Sequence, residues 1–236
     1  MIACYQNNAS LILMENMIRW GILGTGRIAR AFAEGLKNTS NGYLNAVGSR
    51  SHNSAQSFAN EWSVPHFFDS YSQLAKSSKI DAIYIATPHT EHTKNAIISM
   101  ENGKAVLCEK PFAVNADQVK KMIEKAKEKN ILLMEGMWSR FPPLMEKIRN
   151  LIANHEIGEI RTIHADFGFR PEHKNLDGRL FNPILAGGSL LDVGIYPVSL
   201  SFMLNGKPES FMSDWTMGET GVDEQASIIF KYSNGS

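Results

Sequence analysis

The segment that most constrains this chain is Gly24-Thr25-Gly26-Arg27-Ile28-Ala29, a GxGxxA pattern set between a short apolar run, Ile18 to Leu23, and a stretch of helical periodicity from Arg27 to Leu36. The first glycine permits a tight turn, the second lets a phosphate approach the backbone, and the small sixth residue lets the helix pack against the strand. The helix start then turns its unpaired N–H groups toward the phosphates. Glycine patterns alone are often mere turns, but a strand before and a helix after make this one a dinucleotide-binding signature. Gly24, Thr25, Gly26, Arg27 and Ile28 are therefore cofactor-binding candidates.

The strand–helix rhythm continues. Strands are expected at Tyr43 to Gly48, Ala82 to Ile85, Ala105 to Cys108 and Leu132 to Glu135, and helices around Ser54 to Glu61, Glu91 to Met100 and Ala116 to Lys129. Asn115 with Gln118 reads as the cap of the last helix. Alternation of this kind specifies an α/β fold with a doubly wound parallel sheet, the Rossmann arrangement, over residues 17–136. Residues 1–16 follow no period and read as an N-terminal extension.

Phe141-Pro142-Pro143 breaks the rhythm, which puts a domain boundary near Gly136. Residues 137–236 read as an α+β domain with an open, mostly antiparallel sheet. The expected elements are a helix from Leu144 to Asn154, a long strand Glu159 to Phe169, a helix ending at Asn205-Gly206, and strands Glu209 to Met217 and Glu224 to Tyr232. The loop from Arg170 to Ala186 is long and charged enough to carry function.

A chain of 236 residues with 43% hydrophobic content can fill two ordinary domains. Its 24 basic residues cancel 24 acidic ones, and no basic run suggests nucleic acid or an anionic membrane as partner. A small neutral or phosphorylated ligand fits better. Cys4 and Cys108 do not suggest a structural disulfide. No stretch approaches the length of a membrane helix, and Leu11 to Met14 has no basic residue before it, so the cytoplasm is the expected location.

The end of the second strand decides between cofactors. It reads Gly48-Ser49-Arg50-Ser51, without the acid that would bind the ribose 2′-hydroxyl of NAD. Arg50 can pair with a 2′-phosphate, helped by the hydroxyls of Ser49 and Ser51, so NADP is expected, with NAD as the alternative. Thr87, Pro88, His89 and His92 follow the strand at Ala82, at the sheet edge where ligands of open parallel sheets bind. A metal at His89 and His92 lacks a third ligand nearby. Glu109-Lys110-Pro111 follows the next strand at the same edge.

Farther on, Gly187 to Pro197 reads GGSLLDVGIYP, with Asp192 and Tyr196 spaced to share one face of a helix. A carboxylate and a phenol held together can handle the hydroxyl and proton of an alcohol being oxidised. An amphipathic helix with a half-buried tyrosine explains the same residues.

The GxGxxA loop, the Ala86-Thr87-Pro88-His89 segment, Glu109-Lys110-Pro111 and GGSLLDVGIYP occur in an order that resembles the glucose-fructose oxidoreductase and inositol dehydrogenase superfamily. Met134-Glu135-Gly136-Met137-Trp138-Ser139-Arg140-Phe141 and Gly218 to Asp223 resemble its dihydrodiol dehydrogenase and NADP-dependent xylose dehydrogenase branch.

The resemblance implies an NADP-dependent oxidoreductase acting on the CH–OH group of a sugar or cyclic diol, with Lys110, Asp192 and Tyr196 as catalytic residues. Tyr196 would carry the proton, an ammonium beside a phenol favouring phenolate, while Asp192 orients the substrate hydroxyl and Lys110. Glu109 and Lys110 would border the cofactor, and Trp138, Arg140, Phe167, Asp192 and Tyr196 the substrate. The Lys110-Pro111 bond is a candidate for the cis form.

The resemblance also implies a homodimer formed through the second-domain sheet. Relatives continue well past the position of Ser236, so that sheet is expected to be truncated at its C-terminal side. A non-catalytic dinucleotide sensor and a nicotinamide-dependent glycosidase are the competing functions.

Overall fold

The computed structural model describes residues 17–236; the extension before them and Cys4 lie outside the described residues. The chain divides into two compact units, Met1–Gly136 and Met137–Ser236.

The first unit is built on β1 (Ile18–Leu23), α1 (Arg27–Lys37), β2 (Gly42–Gly48), α2 (His52–Trp62), β3 (His66–Phe68), α3 (Tyr71–Lys76), β4 (Ala82–Ile85), α4 (His92–Glu101), β5 (Ala105–Glu109), α5 (Ala116–Lys129) and β6 (Leu133–Gly136). All six strands are parallel, in the order β3-β2-β1-β4-β5-β6. The order reverses between β1 and β4, the switch point at which such sheets bind ligands.

Apolar side chains on both faces explain why the central strands read as short continuous runs. Ile22, Leu23, Ile83 and Ile85 are fully buried, as are Phe58 and Met100 from the covering helices, each contributing on the order of 1.5–3 kcal/mol from burial. Side-chain caps set helix starts: Ser51 accepts from the Ser54 N–H at α2, and Asn115 from the Gln118 N–H at 3.0 Å at α5. Ser63 and Asn130 end the same two helices in the left-handed conformation.

Two elements escape the sequence pattern. β3 has 3 residues and α3 has 6, too short to complete a period, and β3 exists because its backbone pairs with β2.

The second unit contains α6 (Pro143–Ala153), α7 (Ile195–Asn205) and the antiparallel pair β7 (Ser210–Met217) and β8 (Asp223–Lys231). The strand expected at Glu159 to Phe169 is not formed: the segment is irregular and mostly exposed. A strand needs a ladder partner to satisfy its backbone, and among the described residues only β7 and β8 pair in this unit.

The expected single helix through Asp192 and Tyr196 is likewise divided. Leu190–Gly194 forms a π turn and α7 begins at Ile195. The membrane expectation also needs correction. Pro183–Asn205 is long and apolar enough to cross a membrane by length and composition, at a mean hydropathy of 1.4. Gly187-Gly188 divides that run in the sequence, and in the structure a left-handed Ala186 and the π turn interrupt it.

Candidate active site

At the switch point the backbone is shaped for a phosphate. Gly24 has φ +105°, and a Cβ there would lie 2.5 Å from the Ala86 carbonyl oxygen, so both the turn and the neighbouring strand demand glycine. In front of Gly26 the space is open, with nothing within 4 Å of an added Cβ. No side chain caps the first turn of α1, which leaves its N–H groups directed at that space. Thr25, Gly26, Arg27 and Ile28 are half-buried or exposed beside it, while Ala29 is buried against the sheet. The Thr25 carbonyl accepts from the Arg30 guanidinium, which also pairs with Glu61 and so braces the loop. The arrangement fits a dinucleotide.

At the end of β2, Arg50 is exposed and stands near the Tyr71 phenol; burial pushes that phenol up and the guanidinium pulls the other way. Ser49 is buried and its hydroxyl accepts from the Ser51 N–H, while the Ser51 hydroxyl caps α2. Both hydroxyls keep a proton to donate. Tyr71 was not legible because it lies after the unforeseen β3.

The turn after β4 separates the residues expected there. Thr87 is buried, its hydroxyl accepting from the amide of Asn95; Pro88 and His89 are half-buried. His92 does not line the cofactor cleft. It is fully buried, with its two ring nitrogens at 2.9 Å and 3.0 Å from the carbonyl oxygens of Pro111 and Thr87. The same contacts occupy the positions a metal would need.

After β5, the Lys110-Pro111 peptide is cis. Glu109 is no surface charge: it accepts from the Tyr84 hydroxyl and from the Lys110 N–H, and burial raises its carboxyl above the ordinary value. Glu135 accepts from the Phe112 N–H at 3.0 Å, fastening β6 to the same turn. Lys110 itself is half-buried. Cys108, beneath this turn, is fully buried and burial drives its thiol upward.

The second unit carries Asp192 and Tyr196, but in different surroundings. The Trp138 indole donates to the Tyr196 hydroxyl at 3.0 Å, and the Phe167 ring lies 5.3 Å from the tyrosine ring. Tyr196, Phe167, Ser139 and Arg140 line a small cavity of about 240 Å³. Asp192 is buried and lines a larger cavity of about 630 Å³, with Phe167 common to both. The two side chains thus face separate cavities although they stand four positions apart, with the π turn between them.

Arg179 donates to Asp192 Oδ1 at 2.7 Å, from the charged loop singled out in the sequence. The loop was legible and the pairing was not, since ion pairing across 13 positions leaves no periodic trace. Asp223 is a second unforeseen support. Its carboxylate accepts from the Ser189 hydroxyl at 2.7 Å and the Leu190 N–H at 2.6 Å, capping the π turn. Gly188, at φ +120°, leaves the room this carboxylate fills.

Residues 18–137 match the oxidoreductase family with an NAD-binding Rossmann fold, and residues 145–236 match the GFO/IDH/MocA C-terminal domain. The chain belongs to this oxidoreductase family.

Within the family it is similar to the trans-1,2-dihydrobenzene-1,2-diol dehydrogenase of Mus musculus, 40% identical over 222 residues, covering 92% of this chain and 66% of that protein. The enzyme of the same name from Xenopus laevis is 41% identical over 219 residues, with 91% and 66% covered. The chain thus spans about 66% of the length of these curated relatives. A solved 3-ketoreductase from Actinomadura kijaniata, in complex with NADP and TDP-benzene, superposes with a TM-score of 0.86 at 26% identity, covering 93% of this chain and 68% of that one.

Proposed function

We propose that the protein is an NADP-dependent oxidoreductase that transfers hydride reversibly between the nicotinamide and a CH–OH carbon of a cyclic diol or a sugar. The single observation that carries the chemistry is the Tyr196 hydroxyl held by the Trp138 indole at 3.0 Å. An indole N–H only donates, so the phenol oxygen is the acceptor and negative charge on it is stabilised. The dihydrodiol dehydrogenase relatives and the NADP complex of the 3-ketoreductase support the substrate class and the cofactor.

The open space at Gly26 and the first turn of α1 would hold the pyrophosphate, and Arg50 with the Ser49 and Ser51 hydroxyls the 2′-phosphate. When bound, the nicotinamide supplies the hydride acceptor in oxidation and the donor in reduction. Tyr196 takes the proton of the substrate hydroxyl during oxidation and returns it during reduction. Asp192, paired with Arg179, orients the substrate from the adjoining larger cavity. Lys110 joins the catalytic set through its Glu109-Lys110-Pro111 motif at the cofactor edge of the first unit. Phe167 and Arg140 wall the small cavity beside Tyr196 and select for shape, and Trp138 holds the tyrosine hydroxyl.

Exposed Phe211, Met212, Trp215 and Ile229 on the β7–β8 pair support assembly with a second copy through this sheet. Sedimentation of the protein at several concentrations measures that directly.

The function is tested by following NADPH and NADH in the presence of dihydrodiols, pentoses, hexoses and inositols. Turnover with NADPH on one of these, lost in Tyr196→Phe while NADPH still binds, is the expected result. Full turnover by Tyr196→Phe would refute the proton-carrier role.

A further inference from the structure

His92 is a fully buried titratable group with no part in the chemistry above, yet its ring spans the two turns that border the cofactor edge. Nδ1 lies 2.9 Å from the carbonyl oxygen of Pro111, in the turn after β5 that holds Lys110. Nε2 lies 3.0 Å from the carbonyl oxygen of Thr87, in the turn after β4. A carbonyl oxygen can only accept, and a neutral imidazole has one N–H. The neutral ring therefore donates to one turn and presents a lone pair to the other; only the imidazolium donates to both.

We propose that His92 is a positioning residue for Lys110, tying the turn after β5 to the turn after β4 through one carbonyl when the ring is neutral and through both when it is protonated. The proposal rests on the reading of Lys110 as a member of the catalytic set.

The surroundings fix the direction of the switch. Burial acts first and holds the imidazole below its ordinary value, the Lys110 ammonium adds to this, and the carbonyls of Pro111, Thr87 and Phe112 oppose it. On its own segment the His89 ring stands 5.8 Å away and Glu91 precedes it. Across from it, Glu109 ends β5 and Glu135 lies in β6, while α5 contributes Asp117 in its first turn and Gln118, bonded to Thr93. At neutral pH the ring carries a single tie. As pH falls through its depressed value the second forms, and Lys110 becomes anchored through both neighbouring strands.

The test uses the full chain with its lysines reductively methylated with carbon-13, the Lys110 signal being assigned by its loss in Lys110→Arg. The expected result is that this signal moves in an additional step on the acid side of the ordinary imidazole value of about 6.5, and that His92→Gln abolishes the step. His92→Gln is further expected to lower kcat about 10-fold through misplacement of Lys110, with the KM for NADPH within about 2-fold of normal. A Lys110 signal with no such step, or a step that persists in His92→Gln, overturns the proposal.

Should His92→Gln fail to fold, nitrogen-15 spectra of the unsubstituted protein decide. Two protonated ring nitrogens on His92 in the folded protein at the acid end support the double tie, and a ring that stays singly protonated overturns it. Absence of turnover with every diol and sugar would instead defeat the functional reading, and the Lys110 and imidazole signals would still decide the role of His92.

Discussion

The Trp138 indole N–H points at the Tyr196 hydroxyl across 3.0 Å, while the two rings meet edge to face at 6.1 Å. The bond both orients the phenol and places a donor on the oxygen that the proposed mechanism uses. Trp138→Phe keeps an aromatic wall and removes the donor. Loss of a hydrogen bond worth about 1 kcal/mol is expected to lower kcat about 5-fold with NADPH affinity unchanged, measured by steady-state kinetics on the best diol or sugar.

Arg179 matters through Asp192. Removing it leaves a buried carboxylate without its guanidinium. Because the Arg179 side chain is 54% exposed, the cost is set below that of a fully buried pair, at about 1–2 kcal/mol. Urea denaturation of Arg179→Ala is expected to show this loss, and adding Asp192→Asn is expected to recover much of it, since the buried charge is then gone. Equal stability of Arg179→Ala and the unsubstituted protein would contradict the pairing.

Arg50→Ala separates the two cofactors. The guanidinium is expected to serve only the 2′-phosphate, where a charged hydrogen bond contributes about 1.5–3 kcal/mol. Fluorescence titration should therefore find NADPH bound about 10- to 100-fold more weakly and NADH nearly unaffected. A parallel loss for both cofactors would move Arg50 out of the 2′-phosphate site.

Gly24→Ala tests the turn itself. The added methyl would face the Ala86 carbonyl at 2.5 Å from a backbone with φ +105°, a strain of about 1–3 kcal/mol. Lower thermal stability and loss of NADPH binding are expected together.

Glu109 gives a pH signature. Burial raises its folded carboxyl above the ordinary 4.5, so between those values the folded protein holds a proton that the unfolded chain has released. Stability then falls as pH rises through that window. Glu109→Gln is expected to flatten this fall, measured as urea midpoints across the window.

Much of the first unit was legible because its signals are local. A GxGxxA turn, buried apolar strands and side-chain caps such as Asn115 act within a few residues and leave a pattern in the chain. β3 was not legible, because three residues become a strand only by pairing with β2. The segment from Glu159 to Phe169 failed for the complementary reason: its composition suits a strand, but among the described residues no ladder partner meets it. Of the candidate site, Lys110, Asp192 and Tyr196 drew notice through their motifs. The groups that hold the surroundings in place, Tyr71 at Arg50, Arg179 at Asp192 and Asp223 at Leu190, are distant in sequence and carry no periodic mark.

The π turn at Leu190–Gly194 gives this helix an adjustable index. Deleting one residue within it, such as Val193, would let the backbone close into ordinary α-helix and set Asp192 three positions before Tyr196, about one turn away along the axis. Insertions and deletions in this turn act as a dial: the tyrosine keeps its place beside Trp138 while the carboxylate moves within its own cavity.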